Sequence, residues 1–375
     1  MAPSADVGSA LVGWTVGVTA DRRAEEQVEL LARRGARVVV GPAIRTLPLG
    51  ANEGLRAAIE AVVAAPPEVV VLTTGLGTRG WFEAADAVGL GDRLLAALGD
   101  AEVVARGPKA AGAATTVGLD VVWQAPGGTG REVVAHLAAA GVAGRRVAVQ
   151  LDGGTGTPVG DALRRLGAEV VDVPVYRWQL PDDLDPALRL IAAACDGRLD
   201  AVTFTAAPAL HNLFHVAADA GRAVELRTAL NGPVAAVSIG PVCTESALAL
   251  GVTPAVEPSR HRLGAMVLAL AEHATVGDRA ATVAVGGRRV LLRAASVVVD
   301  GVAVDLPQRE RAVLAELLGR PGVVVAKDAL LDRIWGGAGM ADAHAVEAAV
   351  GRLRRRLDGH LGVSAVARRG YVISA

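Results

Sequence analysis

Four arginines fall within the five positions 352–356 of a 375-residue chain whose formal net charge is only −1. Guanidinium groups at this density suit a polyanion, because phosphates attract their charge and base edges accept their bidentate fork. On a helical wheel at about 100° per residue, Val346, Val350, Leu353 and Leu357 form one apolar stripe, so a helix over 342–357 is expected to dock on a core. Its other face carries His344, Glu347, Ala348, Gly351, Arg352 and Arg355, where small residues allow close approach and long basic ones reach outward. Charge by itself fits a solvated helix better than a DNA groove. Residues 280–375 hold 14 Lys+Arg against 9 Asp+Glu, a balance of +5; residues 1–279 hold 24 against 30, or −6. The two parts are expected to meet different partners.

Elsewhere, chemistry-bearing patterns are weaker. His211 and His215 stand four apart on an expected helix, a spacing that can hold a metal, but no third ligand accompanies them and no metal site is expected. The run "DGGTGTPVG" at 152–160 follows a strand yet lacks the GxGxxG spacing and the acidic residue about 20 positions on that a dinucleotide needs. No cofactor is expected. Cys195 and Cys243 are the only cysteines, which excludes a disulfide framework or zinc cluster and fits a reducing compartment. No apolar run approaches 18 residues, and the first residues lack a basic segment followed by a long apolar one. A cytoplasmic protein with no membrane partner is expected.

The elements that must carry these residues are legible as alternation. "WTVGV" at 14–18 reads as a buried strand, followed by a helical stretch ending at Gly35 and a second strand in "ARVVVGP". The pattern recurs at "PEVVVLTT", "RRVAVQLDG", "GAEVVDVPVY", "DAVTFTA" and "VAAVSIGP", each a short β-branched run followed by a helical one. Such alternation predicts parallel sheets covered on both faces. "VVVLTTGLGTRGWFEAADAVGL" and "AVTFTAAPALHNLFHVAADAG" share a strand, a Thr-containing turn and a helix with a Phe, so two similar α/β lobes are expected. Beyond about residue 275–280 the pattern changes to short strands at 282–285, 288–293, 296–299 and 302–305, then three helical segments and a hairpin.

"LPQRERAVLAELLGRPGVVVAKDALLDRIWG", "AVEAAVGRLRRRL" and "RRGYVIS" together resemble the OmpR/PhoB-type winged helix-turn-helix, over roughly 281–375. The resemblance implies a first helix over Leu306–Leu318, a second over Lys327–Trp335, a recognition helix over Asp342–Leu357 and a wing around Val363–Ile373. It also implies double-stranded promoter DNA as partner, bound by His344, Ala348, Arg352, Arg354, Arg355, Arg368 and Arg369, with homodimerisation on tandem sites. Arg352 and Arg354 match the arginines of the family's "RLR"; Ala348 and Ala349 stand where Val-His is common. The wing reads "AVARRGY" for the usual "TVRGxGY", which shifts its basic residues to Arg368 and Arg369. No receiver-like acidic cluster precedes it, and Lys109 is the only lysine before Lys327. Phosphorylation is not the expected input.

Residues 10–275 resemble uroporphyrinogen-III synthase, which closes linear hydroxymethylbilane into a macrocycle. The resemblance runs in order through "GVTADRRAEEQVELLARRGARVVVGPAI", "VVVLTTGLGTRGWF", "GRRVAVQLDGGTGTPVGDALRRLGAEVVDVPVYRW", "DAVTFTAAPALHNLF" and "VAAVSIGPVCTESALALGVTPAVEPSRHRLGAMVLAL". It implies an α/β fold of two flavodoxin/Rossmann-like parallel-sheet lobes joined by a two-strand connector (HemD-like), followed here by the winged helix. Lobe one is expected over 10–45 plus 176–275 and lobe two over 48–173, within a bilobed domain 1–275, a linker 276–280 and the reader 281–375. Such an architecture suits a tetrapyrrole-like or other anionic small molecule, held by turn amides and helix N-termini. The expected ligand-binding residues are Arg22, Arg23, Thr74, Gly75, Arg79, Gly153, Gly154, Thr155, Thr205, Ala206, Cys243 and Thr244. Tyr176 matches the family tyrosine that assists the leaving hydroxyl, and is the expected catalytic residue of an active hydro-lyase. The family's "GPxT" turn is "GPVC" here, which puts Cys243 in place of the threonine and bears against turnover. Two functions stand: a DNA-binding regulator that senses a tetrapyrrole, and a synthase carrying a DNA-binding domain. The family's usual settings also imply nitrate or nitrite assimilation.

Overall fold

The computed structural model describes residues 9–153, 157–336 and 343–374. In chain order the elements begin β1 (Thr15–Val18), α1 (Ala24–Ala32), β2 (Arg37–Val40), β3 (Arg45–Pro48), α2 (Glu53–Ala64), β4 (Val69–Leu72), α3 (Gly75–Ala87), α4 (Gly91–Gly99), β5 (Glu102–Ala105) and α5 (Pro108–Thr116). They continue β6 (Val121–Gln124), α6 (Gly130–Ala139), β7 (Arg146–Gln150), α7 (Pro158–Arg165), β8 (Glu169–Val173), β9 (Tyr176–Gln179), α8 (Asp185–Cys195), β10 (Ala201–Phe204), α9 (Ala207–Asp219), α10 (Ala223–Leu230), β11 (Ala235–Ser238), α11 (Pro241–Ala249) and α12 (Leu263–Ala281). The C-terminal part is β12 (Val283–Val285), β13 (Arg288–Leu292), β14 (Ser296–Val299), β15 (Val302–Asp305), α13 (Gln308–Leu318), α14 (Lys327–Trp335), α15 (Ala343–Leu357), β16 (Gly362–Val366) and β17 (Gly370–Ser374).

Two compact units result, one of residues 1–43 with 182–375 and one of residues 44–181. The second unit is lobe two. Its five strands are all parallel in the order β6-β5-β4-β7-β8, and the connector strands β3 and β9 pair antiparallel with Leu47 opposite Arg177. Every residue of β4 is buried, as a β-branched run covered by helices on both faces requires. Asn52 caps α2 by accepting from the Leu55 amide, and Thr129 with Glu132 forms a reciprocal capping box on α6.

In the first unit, lobe one is a parallel sheet in the order β11-β10-β1-β2. Leu11, Trp14, Val16 and Leu31 pack there against Leu263, Met266, Val267 and Leu270 of α12. The expected linker 276–280 lies inside α12, which runs on to Ala281 and meets β12 after the single residue Thr282. The antiparallel sheet β12-β13-β14-β15 then leads into three helices and the β16/β17 hairpin. The expected apolar stripe of α15, Val346, Val350, Leu353 and Leu357, is buried against Val313, Leu314, Leu317, Leu330 and Ile373. The first of these helices starts at Gln308, after Pro307, and not at Leu306. Asp342, the expected start of the recognition helix, lies outside the described residues.

Candidate functional site

An open α/β sheet offers a crevice where strand order reverses, at the carboxyl ends of the two strands that flank the reversal. In lobe two those strands are β4 and β7. Thr73 and Thr74 follow the first, and Gln150 ends the second. The Gln150 side chain is fully buried, and its Oε1 accepts from the amides of Thr73 (3.2 Å) and Thr74 (3.0 Å). A neutral carboxamide thus satisfies both turn amides. Thr74 Oγ1 caps α3 by accepting from the Gly77 amide and lies 3.2 Å from the Tyr176 hydroxyl. Tyr176 is buried, edge-on to Trp178 at 6.0 Å between ring centroids. Gly153 has φ 84, and a Cβ there would run into the Tyr176 ring, so a left-handed turn lays backbone on that ring. Its carbonyl accepts from the Trp178 amide at 2.8 Å. At the same sheet edge Arg106 pairs with Asp152 at 2.8 Å. Gly75 is a packing residue: a Cβ would meet the Lys109 carbonyl of α5. Arg79 is exposed on α3. Gly154 and Thr155 lie outside the described residues.

In lobe one the order reverses between β1 and β10. A buried chain of polar contacts ties the two strands together: Thr19 Oγ1 donates to the Thr203 carbonyl (2.8 Å), Thr203 Oγ1 to the Gly17 carbonyl (2.9 Å), and Gln27 Nε2 to Thr203 Oγ1 (2.6 Å). The turns at the carboxyl ends hold exposed Arg22 on one side and half-buried Thr205 and Ala206 on the other. Arg23 is committed locally. It takes a left-handed φ of 57 before α1, and its guanidinium makes two 2.6 Å bonds to Glu26, which raise the arginine's pKa and lower the carboxylate's. Cys243 is also turned inward. Its buried thiol faces the Phe204 carbonyl at 3.5 Å, and desolvation pushes its pKa up to about 12. Thr244 Oγ1 lies 2.6 Å from Ser238 Oγ and donates to Glu257. Among the described residues no group of three or more His, Cys, Asp or Glu side chains gathers as a metal site; His215 instead lies 3.6 Å from Asp219.

On the winged helix the expected basic residues divide into two sets. Arg352 bonds through Nε to Glu310 of α13, whose side chain is only 3% exposed, and Arg354 donates to the Val363 carbonyl (2.6 Å) with its guanidinium over Tyr371. These two hold α15 to its neighbours. Arg355 and Arg356 of α15 are exposed, as are Arg368 and Arg369 of the wing, while Ala348 is half-buried. His344 is exposed beside Glu347, which also pairs with Lys327. Glu310 and Gln150 escape sequence reasoning, although the first leaves a signal: it lies on the same helical stripe as Val313, Leu314 and Leu317, and a carboxylate there demands a cation.

The uroporphyrinogen-III synthase HemD family matches residues 25–268, and the chain belongs to that family. Residues 301–373 match the family described as transcriptional regulatory protein, C terminal, so the chain also carries an OmpR/PhoB-type DNA-binding domain. A putative uroporphyrinogen-III synthase of Methanothermobacter thermautotrophicus is 30% identical over 249 residues, which are 66% of this chain and 94% of that protein. A mutant uroporphyrinogen III synthase of Thermus thermophilus is similar in structure, with a TM-score of 0.60 and 30% identity over 70% of this chain and 99% of its own. The transcriptional regulatory protein PrrA of Mycobacterium leprae is 36% identical over 89 residues, 24% of this chain and 38% of that protein. Among the described residues no helix is long and apolar enough to cross a membrane.

Proposed function

We propose that the chain is a cytoplasmic one-component transcription regulator, in which the HemD-like lobes receive a tetrapyrrole or related polycarboxylate and thereby bias the winged helix on promoter DNA. One observation carries this reading. The recognition-type helix α15 is docked by its apolar stripe while Arg355, Arg356, Arg368 and Arg369 remain exposed on the helix and wing. Exposed guanidinium groups on a rigid helix and hairpin are what phosphate contact requires. The ligand class is supported by the fold, because each lobe has a switch point whose strand ends are flanked by helix N-termini. Pairs of chains would occupy tandem half-sites. The test is a fluorescence-anisotropy titration of the full chain on duplex from its own promoter region at several salt concentrations. Absence of binding at every salt concentration sinks the proposal.

A second reading, an active uroporphyrinogen-III synthase with an attached reader, is favoured by the approach of the Tyr176 hydroxyl to Thr74 Oγ1 at 3.2 Å, beside a switch point. Tyr176 and Thr74 would then steer the hydroxyl lost from hydroxymethylbilane. The inward thiol of Cys243 supplies no such group in lobe one. An isomer-resolved cyclisation assay separates the readings: an inactive chain gives only the spontaneous product. Nothing in the comparisons supports a role in nitrate or nitrite assimilation.

A further inference from the structure

The β-sheet of the winged helix does not hang from lobe one by its chain connection alone. Asp200, the residue just before β10, is 8% exposed, and its two carboxylate oxygens face different domains. Oδ2 accepts from the Thr15 amide of β1 at 2.8 Å, and Oδ1 accepts from the Ala294 amide in the turn between β13 and β14 at 3.0 Å. Further contacts surround this bridge. The Arg293 guanidinium lies 4.5 Å over the Trp14 ring and pairs with Asp278 of α12, and Ser296 Oγ donates to the Gly13 carbonyl at 2.8 Å. Gly13 has φ 79, and a Cβ there would run into the Val298 side chain of β14, so side chains of the reader close on the Gly13 backbone at a position where glycine is favoured. At the rim Arg37 pairs with Asp305, and Gln308 donates to the Asp196 carbonyl at 3.4 Å.

A buried carboxylate is costly unless its oxygens are satisfied. Burial pushes the Asp200 pKa up, while the two amides and the nearby Arg293 and Arg311 draw it back down. Half of that satisfaction comes from the winged helix, so undocking the reader would strand a carboxylate oxygen at the base of β10. The same two strands reach the other way: β1 ends near Arg22, and β10 ends at Thr205 and Ala206, the turns that flank lobe one's crevice.

We propose that Asp200 is an interdomain latch that makes the winged helix and lobe one a single body, so that β1 and β10 connect lobe one's crevice directly to the reader. The ligand part of this statement rests on the sensor reading above; the latch does not. Asp200→Asn tests it from lobe one, because an amide replaces one acceptor with a second donor, and Arg293→Gln tests it from the reader. Hydrogen exchange on the full chain is the measurement. Both variants are expected to speed exchange at the Thr15 and Ala294 amides at least tenfold, while amides within β10, β11, α13 and α15 keep their protection. Unchanged protection at Ala294 overturns the latch. So does loss of protection throughout β10 and β11 in both variants, which would make Asp200 a residue of lobe one's own fold. Should Asp200→Asn alone unfold lobe one, local loss in Arg293→Gln still supports the latch and its absence overturns it. DNA affinity of the variants, with the recognition surface untouched, is expected to stay within about twofold of wild type. Failure of wild type itself to bind DNA sinks the regulator reading and leaves the exchange result standing.

Discussion

At the carboxyl end of β7, Gln150 gives its carboxamide oxygen to the amides of Thr73 and Thr74, whereas on α15 and the wing Arg355, Arg368 and Arg369 extend into solvent. Both regions hold the donors that an anion needs. In lobe two those donors are already answered from inside, so an anionic ligand gains there only by displacing a neutral group that binds the same amides. On the reader the donors are exposed, and a phosphate there would displace only water and counterions. Lobe one shares the inward habit, with Cys243 turned to Phe204 and Thr244 to Ser238 and Glu257. The polar groups at the lobes' strand ends are thus satisfied from within, while those of the reader's arginines face outward.

The sharpest test of that inward habit is Cys243. With its pKa near 12, less than about a thousandth of the thiol that an ordinary cysteine ionises near pH 8 is thiolate. Alkylation of Cys243 by iodoacetamide, mapped by mass spectrometry to separate it from Cys195, is expected to run at least a thousandfold below free cysteine at that pH. Because the raised pKa keeps the reactive form scarce, the rate should still climb about tenfold per pH unit between 8 and 10, where a free thiol levels off. Reaction at the free-thiol rate would place Cys243 at the crevice surface after all.

The second largest effect belongs to an arginine on the outer arc of the α15 wheel. Arg352 sits on the exposed arc of the α15 wheel, yet its partner Glu310 is buried, so Arg352→Ala would leave a carboxylate unpaired in the core of the reader. Removing one partner of a buried pair costs about 3–5 kcal/mol; with the guanidinium half in solvent, about 3 kcal/mol is expected. Chemical denaturation of the full chain, followed by a probe in residues 283–374, measures it. DNA affinity would fall too, through the fold and not through a lost phosphate contact. A stability change under about 0.5 kcal/mol, the ordinary surface value, would return Arg352 to the DNA-facing set.

Arg352 also marks the limit of what the sequence makes legible. The reader's elements could be read almost residue by residue, including α14 at Lys327–Trp335, because strong local patterns and tight turns set their ends. Most parallel strands of the lobes are legible for the same reason, since β-branched runs fit little else, while β6 is not among the expected strands. Pairing between distant residues was not. That Arg352 would meet Glu310 forty-two positions earlier, Gln150 the Thr73 turn, or Asp200 a turn of the reader depends on how elements pack, and no periodicity encodes it. Wheel position tells which arginines leave the core and not which of them find a carboxylate on the way out. The expected linker 276–280 rests on a change of pattern along the chain, and it falls within α12, where Asp278 meets Arg293.

Gln150→Ala should act at an intermediate level. It strips two turn amides of their acceptor, one of them at buried Thr73, and a group left unsatisfied costs about 1–3 kcal/mol. Thermal melting is expected to show that loss, and millimolar inorganic phosphate is expected to recover part of it in the variant while leaving wild type unmoved. Equal phosphate shifts in both proteins would mean that the carboxamide does not guard an anion position, and the contrast between lobe and reader would weaken.

Arg355→Ala carries the smallest expected effect and the most specific. Its guanidinium is solvated, so stability should stay within about 0.5 kcal/mol of wild type. If Arg355 meets one phosphate, the slope of log affinity against log salt should become shallower by about one, a few-fold loss of binding at moderate salt. Arg368→Ala on the wing should behave alike, and the double variant should shift the slope by about two, because separate phosphate contacts release their counterions independently. An unchanged slope together with an unchanged affinity would remove these arginines from the DNA surface and would leave the reader, like the lobes, with its cations serving its own fold.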